Sequence, residues 1–107
     1  PKGSPKVFVI GGNGTGIPTY RRLQRAGIPF AAGVLHKNDV DCQVAQDLAA
    51  EVIVEEPFEE ISEESYQKAY QCMEKCEEVI CCIDVFGSMN RKNQKLAEAA
   101  KCLGKLK

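Results

Sequence analysis

The chain has 107 residues, of which 44% are hydrophobic and 27% charged, with a formal net charge of -1 and a pI near 5.9. This is about one ordinary domain with enough apolar residues for a core, which excludes disorder. The charge excludes the clustered basic face of a nucleic-acid binder, and no apolar run approaches the ~20 residues that span a bilayer.

Residues 1–5, with two prolines, a glycine and a serine and no periodicity, read as a linker, and a single domain covers residues 6–107. Because the chain starts at Pro1 without an initiator Met, the expectation is a domain cut from something longer. Lys6-Val-Phe-Val-Ile10 is an unbroken apolar run rich in β-branched residues and predicts a buried parallel strand. Gly11-Gly-Asn-Gly-Thr-Gly16 follows, and then a helix with Ile17, Tyr20 and Leu23 on one face, which Gly27 stops. Arg21, Arg22 and Arg25 form its solvated side.

A glycine loop between a parallel strand and a helix points backbone N–H groups at the space above the strand, where the helix dipole favours an anion. The loop is not that of a nucleoside triphosphatase, since Ile17 and Pro18 stand where Lys and Ser/Thr are needed. Gly12 and Gly14 match the first two glycines of the dinucleotide fingerprint, but the third falls at Ile17. His36 and Lys37 stand where the acid that holds a ribose hydroxyl is expected.

Phe30 to Leu35 is apolar throughout and predicts an interior strand. His36-Lys-Asn-Asp-Val-Asp41 is then a polar loop whose acids, Asp39 and Asp41, are placed to cap a helix with Val40, Val44 and Leu48 on its apolar stripe. Glu51-Val-Ile-Val54 predicts the third strand; Ser62 caps the next helix, Ile61 and Tyr66 have staple spacing, and Tyr66, Ala69, Tyr70 and Met73 form its stripe with Cys76 on the edge. Glu78 to Asp84 predicts the fourth strand, and Asn90 caps a last helix with Leu96, Ala99, Ala100 and Leu103 on one face, ended by Gly104.

Four strand–helix alternations predict a Rossmann-like α/β three-layer sandwich with a parallel sheet of order 3-2-1-4, the switch point lying between strands 1 and 4. The six cysteines fall inside predicted elements without paired metal-site spacing, as small buried hydrophobes of a reducing compartment do. Cys72 with Cys76, and Cys81 with Cys82, are near enough for a soft metal, yet no metal site is assigned.

Four signatures carry a resemblance: Gly11-Gly-Asn-Gly with Arg22-Leu23; Gly33-Val-Leu with Asp39-Val-Asp41; Glu55-Glu-Pro-Phe with Ile61-Ser-Glu63; and Asp84-Val-Phe-Gly87 with Asn90. From Val7 to Leu103 the chain resembles the accessory domain appended C-terminally to ATP-binding subunits of cobalamin and iron-siderophore class ABC importers. The resemblance implies a regulatory or small-ligand-sensing domain that is not itself an enzyme. It implies as partners an ABC ATPase domain of the same chain and the transporter subunits, and a cytoplasmic place peripheral to the membrane. Two departures stand out: His36-Lys-Asn replaces a loop centred on Asn and Gly, and Lys107 falls where a fifth strand would begin. An open sheet edge there invites pairing with another copy, a homodimer.

Ligands of open parallel sheets bind beyond the carboxyl ends of the strands at the switch point. A small molecule with an anionic group is therefore expected against Gly12, Asn13, Gly14, Thr15, His36, Asp39, Asp41, Phe58 and Asn90, with Asp84 binding a hydroxyl or amine or bridging through a cation. No nucleophilic motif is recognisable, and no cofactor is specified. The competing readings are a fragment of a dinucleotide-dependent oxidoreductase and a protein interaction or dimerisation module.

Overall fold

The computed structural model describes residues 3–55, 62–82 and 91–107. The strands are β1 (Val7–Ile10), β2 (Phe30–His36), β3 (Glu51–Glu55) and β4 (Glu78–Cys81); the helices are α1 (Ile17–Arg25), α2 (Val40–Leu48), α3 (Glu63–Lys75) and α4 (Arg91–Cys102). The four strands form one parallel sheet in the order β3-β2-β1-β4, the topology expected from the sequence. The expected continuation of β4 to Asp84, the staple residue Ile61 and the Asn90 cap lie outside the described residues.

All four residues of β1 are buried because helices cover both faces of the sheet. Phe8 and Ile10 point to one side, where they meet Tyr66, Ala69, Met73, Leu96 and Ala100 of α3 and α4. Val7 and Val9 point to the other, against Tyr20 and Leu23 of α1 and Cys42 and Ala45 of α2. Tyr20 stacks on Phe30 with ring centroids 5.3 Å apart, which fixes α1 over the start of β2.

Helix boundaries follow local chemistry. Asp39 and Ser62 are N-caps, accepting from Asp41 N and Ser65 N respectively. Gly27 and Gly104, at φ +72 and +71, supply the left-handed residues after α1 and α4. Lys105 Nζ donates to the carbonyls of Met73 (3.1 Å) and Glu74 (2.8 Å), closing the C-terminal end of α3.

Three expectations are corrected. Val40 does not join the apolar stripe of α2; it is 49% exposed, and Cys42, Ala45 and Ala49 are buried instead. Asp39 as N-cap aims the first turn so that position 40 faces solvent. On α4 the buried face is Leu96, Ala97 and Ala100, while Leu103 is 40% exposed because the helix ends at Cys102 and the chain turns through Gly104. The outer edge of β4 is not bare: Leu106 bridges Val79 in parallel, with Val79 N bonded to Lys105 O (2.8 Å) and Lys107 N to Val79 O (2.9 Å).

The strand β2 holds one residue more than its partner. Ala32 pairs with Val52 but Leu35 pairs with Val54, so three steps on β2 match two on β3, a bulge. It brings Gly33 so close to β3 that a Cβ there would lie 2.9 Å from the Ile53 Cβ and 3.4 Å from Phe8 Cζ. Gly33→Ala should therefore destabilise the domain in urea by about 1–3 kcal/mol, the cost of overpacking a core. The loss should shrink in an Ile53→Gly background, which removes that Cβ; an equal loss in both would show that steric contact with Ile53 is not the cause.

Candidate functional site

The glycine loop is built around a tight turn. Thr15 N donates to Gly12 O (3.0 Å), and both central residues have positive φ, Asn13 at +55 and Gly14 at +86. These are the marks of a type I′ turn, and Asn-Gly is the pair that enters that conformation most readily. The Thr15 side chain closes the ring, its hydroxyl donating to Gly12 O (2.5 Å) and accepting from Gly12 N (3.0 Å). Gly11 and Gly16 then approach each other until a Cβ on Gly11 would lie 3.0 Å from Gly16 Cα.

The turn leaves three N–H groups pointing away from the loop's own backbone, and the chain itself fills them. Asp41 Oδ1 accepts from Gly14 N, Asp41 Oδ2 from Gly16 N (2.9 Å), and Asp39 Oδ2 from Asn13 N (3.1 Å). Asp39 Oδ1 simultaneously accepts from Asp41 N (3.0 Å) as the cap of α2. The helix α1 has no acid in its first turn and no side-chain cap of its own. The Asp41 carboxylate, carried on α2, supplies the negative charge that its N-terminus favours. Asp41 is fully buried.

Burial therefore decides the acidity of this carboxyl. Desolvation pushes Asp41 above the ordinary carboxylate range, with neighbouring Asp39 adding to the rise, against the lowering effect of the backbone donors Gly16, Gly14 and Gly12. The Tyr20 hydroxyl is fully buried beside Gly16, where a Cβ would come within 2.7 Å of it and 3.0 Å of Asp41 Oδ2. Among the described residues it has no hydrogen-bond partner. Burial and then the Asp41 charge hold this phenol protonated. At the end of β4, Cys82 N donates to Ile10 O (2.8 Å), and Cys82 Sγ lies 3.4 Å from Thr19 Oγ1. Burial raises the Cys82 thiol, opposed by that contact.

The expected site is thus assembled in part. Gly12, Asn13, Gly14, Thr15, Asp39 and Asp41 come together at the carboxyl ends of β1 and β2. His36 ends β2, paired in register with Glu55, and its carbonyl accepts from Asp39 N (2.9 Å), so its backbone shapes the loop. Phe58, Asp84 and Asn90 lie outside the described residues. In the structure, carboxylates of Asp39 and Asp41 hold the N–H groups of Asn13, Gly14 and Gly16 that the sequence offers to an anion. Sequence reasoning missed Tyr20, Thr19 and Cys82. The available signal was a tyrosine, with a polar tip, one helical turn beyond Gly16.

Elsewhere, none of the six cysteines is in a disulfide. Cys72 on α3 and Cys76 at its C-cap are both buried, and a thiol–thiol hydrogen bond raises Cys72 and lowers Cys76. Among the described residues no three His, Cys, Asp or Glu side chains are grouped to hold a metal. No described helix is long and apolar enough to cross a membrane.

Two outcomes follow from this geometry. Asn13→Gly should be tolerated, whereas Asn13→Ala should cost about 1–2 kcal/mol in a urea titration because Ala resists the left-handed region. A carboxyl whose folded pKa is raised contributes most when protonated, and that contribution is lost as pH rises through the folded value. The stability of the native protein minus that of Asp41→Asn should therefore fall with rising pH, beginning near the unfolded carboxyl value of about 4. Urea melts of both proteins between about pH 4 and 7 measure it; a flat or rising difference would show that the backbone donors outweigh burial.

No curated protein matches the chain. Residues 30–106 match the model of the MJ0874 family, a span that starts at the first residue of β2 and leaves β1 and the glycine loop outside. This overturns the resemblance to the accessory domain of cobalamin and iron-siderophore importer ATPases, on which the expected transporter partners and the placement beside a transporter rested. Among the described residues, three of the signatures include turn or cap chemistry: Asn13-Gly14 makes a I′ turn, while Asp39 and Ser62 cap helices. Any doubly wound domain with similar loops can share them. With more than half of its length matched, the chain belongs to the MJ0874 family.

Proposed function

We propose that this domain is a non-catalytic binding module that takes a small ligand above the carboxyl ends of β1 and β4. The observation that carries the reading is the clamp between the glycine loop and α2. The switch point of the sheet is where open parallel sheets bind ligands, and here the loop beside it is tied to the next helix by Asp39 and Asp41. A ligand resting on Gly12 to Thr15 would act on α2 through those bonds, a coupling suited to sensing. Among the described residues, the polar side chains gathered at this edge are the Asp39 and Asp41 carboxylates, the buried Tyr20 phenol, the Thr19 hydroxyl and the Cys82 thiol. Among them no activated nucleophile stands beside a base, which favours binding over chemistry.

The dinucleotide reading is disfavoured on the same ground. A pyrophosphate needs the N–H groups that Asp41 already occupies, and β2 ends in His36 instead of an acid. The ligand class that fits is a neutral or hydrogen-bond-donating molecule, for which carboxylates are good acceptors.

Amide spectra of uniformly 15N-labelled protein titrated with a fragment library rich in polyols and amines test this. The expected result is binders that move the resonances of Gly12 to Gly16 together with Cys82. Binders confined to the groove between α3 and α4, of about 210 Å³ and lined by Tyr70, Ala99, Cys102 and Leu103, would overturn the reading in favour of an interaction surface there. Nicotinamide dinucleotides should leave the melting temperature unchanged at millimolar concentration; a shift there would restore the oxidoreductase reading.

A further inference from the structure

The glycine loop has the form of an oxyanion site, yet its oxyanion is covalently part of the protein. We propose that Asp41 is the residue that sets ligand class at this site: its carboxylate occupies the subsite in which a phosphate would sit, and its removal leaves a phosphate-binding loop. The inference rests on the reading of the carboxyl edge as a ligand site.

Three observations support it. First, the occupant is an anion, held by two N–H groups at the start of α1, Gly14 N to Oδ1 and Gly16 N to Oδ2. The two oxygens divide between two backbone donors as phosphate oxygens do at a helix N-terminus. Second, the carboxylate reaches the loop from 25 residues away in sequence, from the first turn of α2. The loop's own residues leave those donors open, since Thr15 satisfies only Gly12 and closes the turn. Third, a further donor waits at the same place. The Tyr20 hydroxyl is fully buried, protonated and without a hydrogen-bond partner among the described residues, and it borders Gly16 on the side of Asp41 Oδ2. A buried hydroxyl left in this condition is uncommon and calls for an acceptor. A tetrahedral oxyanion carries more acceptor oxygens than a carboxylate and could take Gly14 N, Gly16 N and Tyr20 OH together.

Asp41 excludes such ligands twice over. It fills the space, and its charge repels a second anion, with Asp39 adjacent to reinforce the repulsion. Wild-type specificity is therefore turned toward groups that donate to carboxylates, while the loop keeps the backbone of an anion binder.

The test uses inorganic phosphate as the probe, at constant ionic strength against chloride, and follows the Gly14 and Gly16 amide resonances of wild type, Asp41→Ala and Asp41→Ala with Tyr20→Phe. Wild type should show no saturable response at those amides. Asp41→Ala should bind phosphate saturably there, and adding Tyr20→Phe should weaken that binding about tenfold, the effect of losing one hydrogen bond to a charged group. A folded Asp41→Ala protein whose loop amides ignore phosphate would overturn the proposal, as would wild-type protein that binds phosphate at them. If Asp41→Ala does not fold, Asp41→Ser, which keeps a small polar group but vacates the carboxylate's position and loses the charge, takes its place with the same expected gain. Failure of both variants to fold would make Asp41 a structural strut and overturn the proposal as well. The phosphate result is independent of the fragment titration: fragments that bind only at α3 and α4 would remove the native ligand site without touching the Asp41 result.

Discussion

The buried carboxylate of Asp41 is the contact on which the carboxyl edge of this domain depends. A glycine loop that turns from a strand into a helix exposes more N–H groups than its own backbone can satisfy, and buried donors left open are costly. Most proteins with such a loop leave those donors to solvent or to a ligand phosphate. Here α2 brings a carboxylate to them, so Gly14 N and Gly16 N are satisfied in the absence of any ligand. The same bonds join two consecutive strand–helix units that β1–β2 pairing alone would connect only through the sheet.

This arrangement has an electrostatic cost that the geometry only partly offsets. Asp41 is removed from water and sits beside Asp39, both of which disfavour its charge, while the loop donors and the dipole of α1 favour it. Asp39 is half-exposed and serves two donors, Asn13 N and Asp41 N. Two acids two residues apart therefore do different work. One caps the helix it precedes; the other caps the helix before it in the chain.

Placing the chain in the MJ0874 family changes what its loops can be taken to mean. The family match includes Asp39 and Asp41 but not the glycine loop they hold, so the two halves of the clamp fall on either side of the matched span. The signatures that suggested a transporter accessory domain were real features of the chain, but those at Asn13-Gly14, Asp39 and Ser62 have a local explanation in turn or cap geometry. Function has to be argued from the crevice and the groups that face it.

Much of the fold was legible before any coordinates. Unbroken apolar runs at Val7–Ile10 and Phe30–Leu35, glycines after α1 and α4, and the caps Asp39 and Ser62 are local signals, and local physics alone determines them. The strand order follows from the strand–helix alternation and the handedness of crossovers. What the sequence could not determine depends on groups distant along the chain. That Val40 is exposed while Ala49 is buried, and that Gly33 must lack a side chain, depends on how α2 lies against the sheet and how closely Ile53 approaches. Most of all, the sequence alone determined that the Gly11–Gly16 loop would offer N–H groups to an anion. Only the tertiary structure decided that the anion would be Asp41, because a carboxylate 25 residues away reaches Gly16 N only once β1 and β2 have paired and set α1 beside α2.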